Sequence, residues 1–302
     1  MKIIVTGGTG FIGRALVDEL ARQGHDVIVL TRKPGHRPRP SVRFVEWDAA
    51  SAGPWQADVA YADAVVNLAG APIAEGRWTT SRKRLLIDSR VRATRRLVEA
   101  LSGRSEKPPV LVSGSGIGYY GASDDRLLDE HSAQGHGFLA DLSSAWEEEA
   151  MRSGQSGLRV VLLRTGMVLE QDGGALPKML LPFRLFAGGP VLPGTQWVSW
   201  IHRLDLIGLI QWAITTPTVS GPVNAVAPEV MTMKAFCATV GKVLHRPSWL
   251  PVPGLALRLA LGEMGTLMTT GQRVDPSKAR ALGYHFLYPR LEPALRAIVA
   301  KG

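Results

Sequence analysis

The start of this chain constrains its fold most, because an apolar β-branched run leads directly into a glycine-rich turn. Residues 3–5 form the run, Gly7, Gly10 and Gly13 follow, and residues 15–20 have a helical period. A strand, a glycine turn and a helix in this order are typical of a dinucleotide site, since the helix N-terminus favours a pyrophosphate. We therefore predict a nucleotide site here, the alternative being a purely structural turn.

Each glycine has a separate task in such a site. Gly7 can take turn dihedrals that other residues avoid. Gly10 lets backbone N–H groups approach the pyrophosphate, and Gly13 lets the helix pack close to the strand. The motif residues that we assign to cofactor binding are Gly7, Thr9, Gly10, Phe11, Ile12 and Gly13.

The end of the second predicted strand, residues 26–30, indicates which nucleotide binds. Sites for NAD(H) usually have Asp or Glu there to hold the ribose 2′-hydroxyl. This chain instead has Arg32 and Lys33, and its next acid is Glu46. Two cations suit a 2′-phosphate, which Arg can bind as a fork. We predict NADP(H), the alternative being a solvated basic strand end.

The composition is that of an ordinary globular protein. The chain has 302 residues, of which 45% are hydrophobic, and this is enough for one or two domains. Its apolar runs are too short to span a bilayer. Cys237 is the single cysteine, and the seven histidines lack metal-ligand spacing, so we expect neither a disulfide framework nor a metal. The N-terminus enters a strand without a secretory signal, and we expect a cytoplasmic protein.

The net charge of +9 raises the question of nucleic-acid binding. Much of the excess lies in residues 32–39 and in residues 82–96, the second group on a predicted amphipathic helix. A solvated helix face explains most of that second group, and no helix-turn-helix, zinc finger or aromatic-basic sheet motif occurs. We therefore expect no nucleic-acid partner.

The first half of the chain predicts an α/β protein with a Rossmann-type, doubly wound parallel sheet, because strand and helix signals alternate. The predicted strands span residues 3–5, 26–30, 42–48, 64–70, 110–113 and 158–164, and the predicted long helices span residues 80–101 and 143–153. Further along, glycines and prolines interrupt short apolar helical pieces, which indicates a smaller, mostly helical region.

We predict two domains from this change in the sequence pattern. Residues 1–170, with a contribution from about 198–227, form the NADP-binding domain. Residues 171–197 and 228–302 form a smaller substrate domain, which we expect to close over the carboxyl ends of the strands.

An apolar segment over residues 176–186 predicts a helix that covers the cleft. Its two cations, Lys178 and Arg184, are available to an acidic small-molecule substrate. As a membrane-surface helix the segment is short and interrupted by Pro182, so we expect no membrane partner.

His202 and Asp205 lie close enough in sequence to suggest an acid–base dyad. The simpler interpretation makes Asp205 the cap of a predicted helix over residues 205–212, and His202 a strand-end residue. A role for His202 as an acid that faces the cleft stays an open alternative.

At several points the chain resembles the extended, sugar-nucleotide-epimerase-like form of the short-chain dehydrogenase/reductase superfamily. The matching motifs are residues 6–13, 67–70, 113–115 and 120–121. The chain is more similar still to an atypical branch, NAD(P)-dependent epimerase-family proteins with a C-terminal domain of unknown function of the DUF1731 type. That likeness rests on residues 89–90, 137–140, 146–147, 179–184, 188–190, 200–202, 224–228, 251–253 and 271–274.

The resemblance implies NADP(H) as the cofactor and places further residues against it. Leu68 and Ala69 would line the adenosine-ribose side, Arg90 would reach the cofactor from the long helix, and Val168 would lie near the nicotinamide. The full set implied outside the N-terminal motif is Arg32, Lys33, Leu68, Ala69, Gly70, Arg90, Ser113 and Val168.

The superfamily's usual catalytic pair, a Tyr with a Lys four residues later, is missing. None of the five tyrosines has Lys at that spacing. The remaining candidates are Tyr120 as proton donor, helped by Ser113, with Ser115 and Tyr119 nearby. Without a Lys, we expect the pKa of Tyr120 to stay nearer the ordinary value of about 10. The alternative is that these hydroxyls only satisfy local backbone groups.

We therefore expect an NADP(H)-dependent oxidoreductase that acts on a small carbonyl or alcohol. A non-catalytic NADP(H)-binding sensor or regulatory protein is the alternative that the missing pair favours. A sugar-nucleotide epimerase is a third possibility, although it requires an acid–base pair that the sequence does not offer. The oligomeric state stays open.

Overall fold

A central sheet of seven parallel strands organises the computed structural model, which describes residues 1–35, 39–102 and 109–300. The strand order is β7-β6-β5-β4-β1-β2-β3. The strands, numbered here for this sheet alone, are β1 (Lys2–Thr6), β2 (Asp26–Thr31), β3 (Val42–Glu46), β4 (Ala64–Asn67), β5 (Val110–Gly116), β6 (Arg159–Thr165) and β7 (Gly221–Ala225). This order confirms the predicted Rossmann-type sheet.

The strands form here because their apolar runs are buried on both faces of the sheet. On β1, Ile3 and Val5 belong to one core cluster and Ile4 belongs to the other. Ile4 lies in register with Ile28 on β2 and with Val65 on β4. Helices therefore cover both faces, as a parallel sheet requires.

Eleven α-helices lie in the described ranges, and none of them combines the length and apolar character needed to cross a bilayer. The long helix α3 has its predicted bounds, whereas α4 begins at residue 138 rather than 143. The helices are α1 (Phe11–Arg22), α2 (Trp55–Ala60), α3 (Thr80–Leu101), α4 (Phe138–Met151), α5 (Leu176–Arg184), α6 (Arg203–Thr215), α7 (Met233–Leu244), α8 (Gly254–Leu261), α9 (Thr266–Thr269), α10 (Ser277–Ala281) and α11 (Leu291–Val299).

A separate core cluster lies outside the sheet and joins α5, α7 and α11. Its largest fully buried members include Trp200 and Phe236. Three short strand pairs lie outside the central sheet: Met167–Leu169 with Trp200–His202, Trp197–Val198 with Met231–Thr232, and Leu127–Leu128 with Arg273–Val274. The division of the chain into two domains stays a prediction.

The predicted cap of α6 is wrong, because His202 takes that role instead of Asp205. The Nδ1 atom of His202 accepts a hydrogen bond from the backbone N–H of Leu204 at 3.0 Å. Asp205 lies one turn inside the helix and accepts hydrogen bonds from the backbone N–H groups of Leu287 at 2.6 Å and Tyr288 at 2.9 Å. The Asp205 carboxylate thus links the C-terminal segment to α6, which packs against the central sheet.

The same segment holds His202 in place. The imidazole stacks on the ring of Tyr288, with 4.1 Å between ring centroids, and is fully buried. These contacts give His202 a structural position at the end of its short strand, and they do not favour it as an acid in the cleft.

We expect Asp205→Ala to destabilise the fold strongly. Each buried N–H that loses its acceptor costs about 1–3 kcal/mol, and this substitution leaves two N–H groups without an acceptor. Urea denaturation followed by circular dichroism measures the loss, with Asp26→Ala at an exposed strand end as the control. Equal free energies of unfolding for the two variants would contradict this role of Asp205.

Candidate functional site

The glycine turn between β1 and α1 has the geometry that a nucleotide site needs. Gly7 has φ +67°, and a Cβ there would lie 2.6 Å from the carbonyl oxygen of Leu68. A Cβ on Gly13 would overlap the carbonyl oxygen of Gly7. Gly10 is the N-cap of α1, and a Cβ there would meet only the carbonyl oxygen of Gly7, at 3.2 Å. The space in front of Gly10 is therefore open.

Phe11 connects this turn to the loop that follows β6. A Cβ on Gly173 would lie 2.5 Å from the Phe11 ring, so the ring and the loop are in close contact. The guanidinium of Arg203 lies over the same ring, 5.1 Å from its centroid. Ile12 and Val168 pack against the same core cluster. The structure thus brings the predicted motif residues and Val168 to one side of the sheet.

The end of β2 presents two exposed cations. Arg32 and Lys33 are both exposed directly after Thr31. Glu46 lies in register with Thr31 on β3, yet within the described ranges neither cation forms an ion pair with it or with any other acid. Residues 36–38, which belong to the same predicted basic group, lie outside the described residues. The exposed pair is free to meet an anion.

Arg90 on α3 is a buried cation beneath the loop that follows β4. Its guanidinium donates hydrogen bonds to the carbonyl oxygens of Leu86 at 3.2 Å and Ala71 at 3.0 Å. A Cβ on Gly70 would lie 2.8 Å from its Cζ, so Gly70 allows this close approach.

No carboxylate in the described part of the chain forms an ion pair with Arg90, and its buried Nε has no hydrogen-bond partner there. Burial, with a smaller effect of the Arg82 charge, lowers the pKa of Arg90 to about 10. A buried charge without a counterion is unfavourable. The arrangement therefore suits an anionic ligand at this loop.

Ser113 is fully buried in the middle of β5, because the strand continues to Gly116 instead of ending at residue 113 as the sequence predicted. Its hydroxyl accepts a hydrogen bond from the Asn67 side-chain amide at 3.3 Å and donates to the carbonyl oxygen of Gly114 at 3.4 Å. The Asn67 amide also donates to the Thr94 hydroxyl at 2.8 Å. Ser113 therefore belongs to a buried network between two strands and α3.

Tyr120 is almost fully buried, with 3% of its surface exposed. Its hydroxyl donates to Oδ1 of Asn224 at 2.7 Å and accepts from Arg164 at 3.0 Å. Burial raises the pKa of Tyr120 to about 12, which is higher than the expected value near 10. Tyr120 as proton donor stays a prediction, and these contacts do not favour it.

Sequence reasoning missed the ion pair beneath these tyrosines. Arg164 on β6 binds Glu147 on α4 through two hydrogen bonds, of 2.9 Å and 2.8 Å, and both side chains are buried. Ser115 donates to the same carboxylate at 2.6 Å. The available signal was an Arg that ends the apolar run of β6, although its partner is not adjacent in sequence.

Tyr119 is the candidate whose hydroxyl stays available. Its ring lies over the Arg164 guanidinium, 3.5 Å from Cζ to the ring centroid, and is half-buried. Among the described residues its hydroxyl makes no hydrogen bond. Because the turn over residues 117–120 follows β5, Tyr119 lies at the edge where ligands bind in such sheets.

A parallel sheet of this order, with an open glycine turn at the start of α1, defines a nucleotide-binding α/β protein. The chain belongs to the NAD dependent epimerase/dehydratase family, which matches residues 3–226. Residues 252–298 match the domain of unknown function DUF1731. This assignment agrees with the resemblance found in the sequence motifs.

Similar proteins cover nearly the whole chain. The Arabidopsis thaliana epimerase family protein SDR39U1 homolog, chloroplastic, is 43% identical over 99% of this chain and 87% of its own length. Bacillus subtilis YfhF is 40% identical over 99% of this chain and 98% of its own. The crystal structure of human SDR39U1 with NADPH has a TM-score of 0.89 and 36% identity, and covers 99% of both chains.

Two glycine substitutions separate the structural and the open positions of the turn. We expect Gly13→Ala to lower the free energy of unfolding by about 1–3 kcal/mol, because its methyl group meets backbone that must shift. Gly10→Ala should cost less, about 1 kcal/mol, because its methyl group meets a single backbone oxygen and alanine is a poorer N-cap than glycine. Urea denaturation without cofactor measures both, and a Gly13→Ala variant as stable as Gly10→Ala would contradict the close approach.

Proposed function

We propose that this protein binds NADP(H) and acts as an oxidoreductase on a small carbonyl or alcohol. The observation that supports it most directly is the exposed pair Arg32 and Lys33 at the end of β2. A ribose 2′-phosphate needs such cations, and a carboxylate at this position would repel it. The NADPH in the human relative's structure supports the same cofactor.

The residues present fit this dinucleotide. The open space at Gly10, at the N-terminus of α1, suits a pyrophosphate, whose oxygens would accept hydrogen bonds from backbone N–H groups. The buried Nε of Arg90, without a partner in the described ranges, suits another anionic or polar part of the cofactor. Leu68, Ala69 and Val168 would form apolar contacts beside it. When bound, NADPH supplies a hydride.

The protein itself must then supply or remove a proton. Tyr119 has an uncommitted hydroxyl at the ligand-binding edge, whereas both hydrogen-bonding directions of the Tyr120 hydroxyl are in use. In this proposal Tyr119 donates a proton to the carbonyl oxygen of the substrate. The Arg164 guanidinium packs on the Tyr119 ring and is itself held by its ion pair with Glu147. Reduction is the direction in which this hydroxyl acts as a proton donor, so it is the direction that we propose.

The predicted substrate domain offers two cations that could attract an acidic substrate. Lys178 and Arg184 are both exposed on α5, and either could attract a carboxylate or phosphate. Cytoplasmic location, expected from the sequence, also stays a prediction.

A non-catalytic NADP(H)-binding sensor is the second candidate, and one observation favours it. Ser113, Ser115 and Tyr120 are all engaged in buried hydrogen bonds, which leaves few groups for chemistry. Turnover of NADPH with a library of small carbonyl compounds distinguishes the two. A sugar-nucleotide epimerase would instead convert a nucleotide sugar without net consumption of cofactor.

The cofactor assignment predicts tighter binding of NADPH than of NADH. One charge-assisted contact contributes about 1.5–3 kcal/mol, so Arg32→Ala should weaken NADPH binding about ten- to a hundredfold. The affinity for NADH should stay unchanged, because that cofactor has no 2′-phosphate. Isothermal titration calorimetry measures both, with Arg22→Ala at the far end of α1 as the control. Equal affinities for both cofactors in wild type would overturn the assignment.

The catalytic assignment predicts different effects for two adjacent tyrosines. Tyr119→Phe should lower the rate of NADPH-dependent reduction by about 10²–10⁴-fold, as for other general acids. Tyr120→Phe should mainly lower stability, because it removes a buried hydroxyl that joins Asn224 to Arg164.

Initial rates with an active carbonyl substrate, together with urea denaturation, test this pair. A large rate loss in Tyr120→Phe with an unaffected Tyr119→Phe would return the proton donor to Tyr120. Wild-type rates in both variants would exclude both tyrosines.

A further inference from the structure

An exposed apolar face lies where the end of α5 meets the segment over residues 246–250. It consists of Leu181, Leu185, Phe186, Trp249 and Leu250, all of them exposed. Single exposed apolar residues are common on protein surfaces, but contiguous groups mark interaction sites. We call these five residues the apolar face.

Backbone hydrogen bonds make the apolar face one continuous surface. The indole N–H of Trp249 donates to the carbonyl oxygen of Phe186 at 3.0 Å. The backbone N–H groups of Trp249 and Leu250 both donate to the carbonyl oxygen of Gly188, at 3.0 Å and 3.1 Å. The two segments therefore present their side chains side by side.

Phe186 combines a strained backbone with an exposed ring. Phe186 has φ +61°, in the left-handed region that bulky residues avoid. The guanidinium of Arg246 lies over this ring, 4.4 Å from its centroid. The exposed ring and the Arg246 cation therefore lie next to each other.

The two stretches of chain that contain the apolar face have charges of a single sign. Residues 173–204 and 230–262, which include both segments, contain no Asp or Glu. Their basic residues are Lys178, Arg184, Arg203, Lys234, Lys242, Arg246 and Arg258. Only Arg203 and Lys242 of these form ion pairs in the described part of the chain. The other five cations have no ion-pair partner among the described residues, and two of them, Arg184 and Arg246, belong to the two segments of the apolar face.

We propose that the apolar face docks onto the surface of an anionic lipid bilayer. Leucine and phenylalanine side chains gain from entering the acyl boundary, tryptophan favours the headgroup level, and the neighbouring cations attract anionic headgroups. On the sequence alone, the helix over residues 176–186 is too short for this role. The structure adds the segment over residues 246–250 beside it, which enlarges the surface and supplies Trp249.

Other occupants fit these features less well. A two-fold contact with a second copy would place the same cations opposite one another, which costs energy. A nucleic acid would meet the cations but would leave the exposed leucines without an apolar partner. Charge and apolarity together therefore favour a lipid surface.

Co-sedimentation of the full chain with lipid vesicles tests the proposal. We expect binding to vesicles of phosphatidylcholine mixed with phosphatidylglycerol, and weaker binding to pure phosphatidylcholine. Leu185→Asp should lower the partition coefficient at least about tenfold, because it puts a charge where the leucine side chain would enter the acyl boundary of the bilayer. Arg246→Gln should lower binding to the anionic vesicles about fivefold.

Leu287→Asp is the matched control, because Leu287 and Leu185 are both 68% exposed and only Leu185 belongs to the apolar face. Circular dichroism checks that each variant is folded, and Trp249→Ala replaces Leu185→Asp if that variant is not. The proposal is overturned if wild type does not sediment with anionic vesicles, or if Leu287→Asp weakens binding as much as Leu185→Asp. It is also overturned if the apolar face drives self-association or DNA binding in place of vesicle binding.

Discussion

The buried ion pair between Glu147 and Arg164 determines how α4 sits against the sheet and how the two tyrosines are held. Glu147 reaches Ser115 on β5 and Arg164 on β6, while Arg164 reaches the Tyr120 hydroxyl. Tyr120 in turn binds Asn224 on β7, so the network joins three neighbouring strands and one helix. Removing one charge of a buried pair costs about 3–5 kcal/mol, because the other charge is left without compensation.

Much of the sheet could be predicted because its signals are local. The apolar runs of β1 and β2 and the period of α3 are properties of consecutive residues, and the structure confirms them. The role of Asp205 could not be predicted, because its partners Leu287 and Tyr288 lie more than 80 residues further along the chain. A residue three positions into α6 looks like a cap only while those partners are unknown.

The candidate site divides in the same way. The glycine turn and the cations at Arg32 and Lys33 depend on neighbours in sequence, and so their positions follow from the motif. The hydroxyl groups depend on long-range partners, and for that reason the sequence could not separate the buried Tyr120 from the half-buried Tyr119. Only the folded arrangement shows which hydroxyl is already engaged.

The ring of Phe11 has a mechanical consequence. It occupies the first turn of α1, directly after the open glycine position, and it touches Gly173 and Gly174 in the loop that leads into α5. Because only glycines leave room for the ring there, neither segment can shift toward the other unless the ring also moves. The turn that faces the nucleotide and the loop before α5 are therefore in contact through this one ring, and any free-energy coupling between them acts equally in both directions.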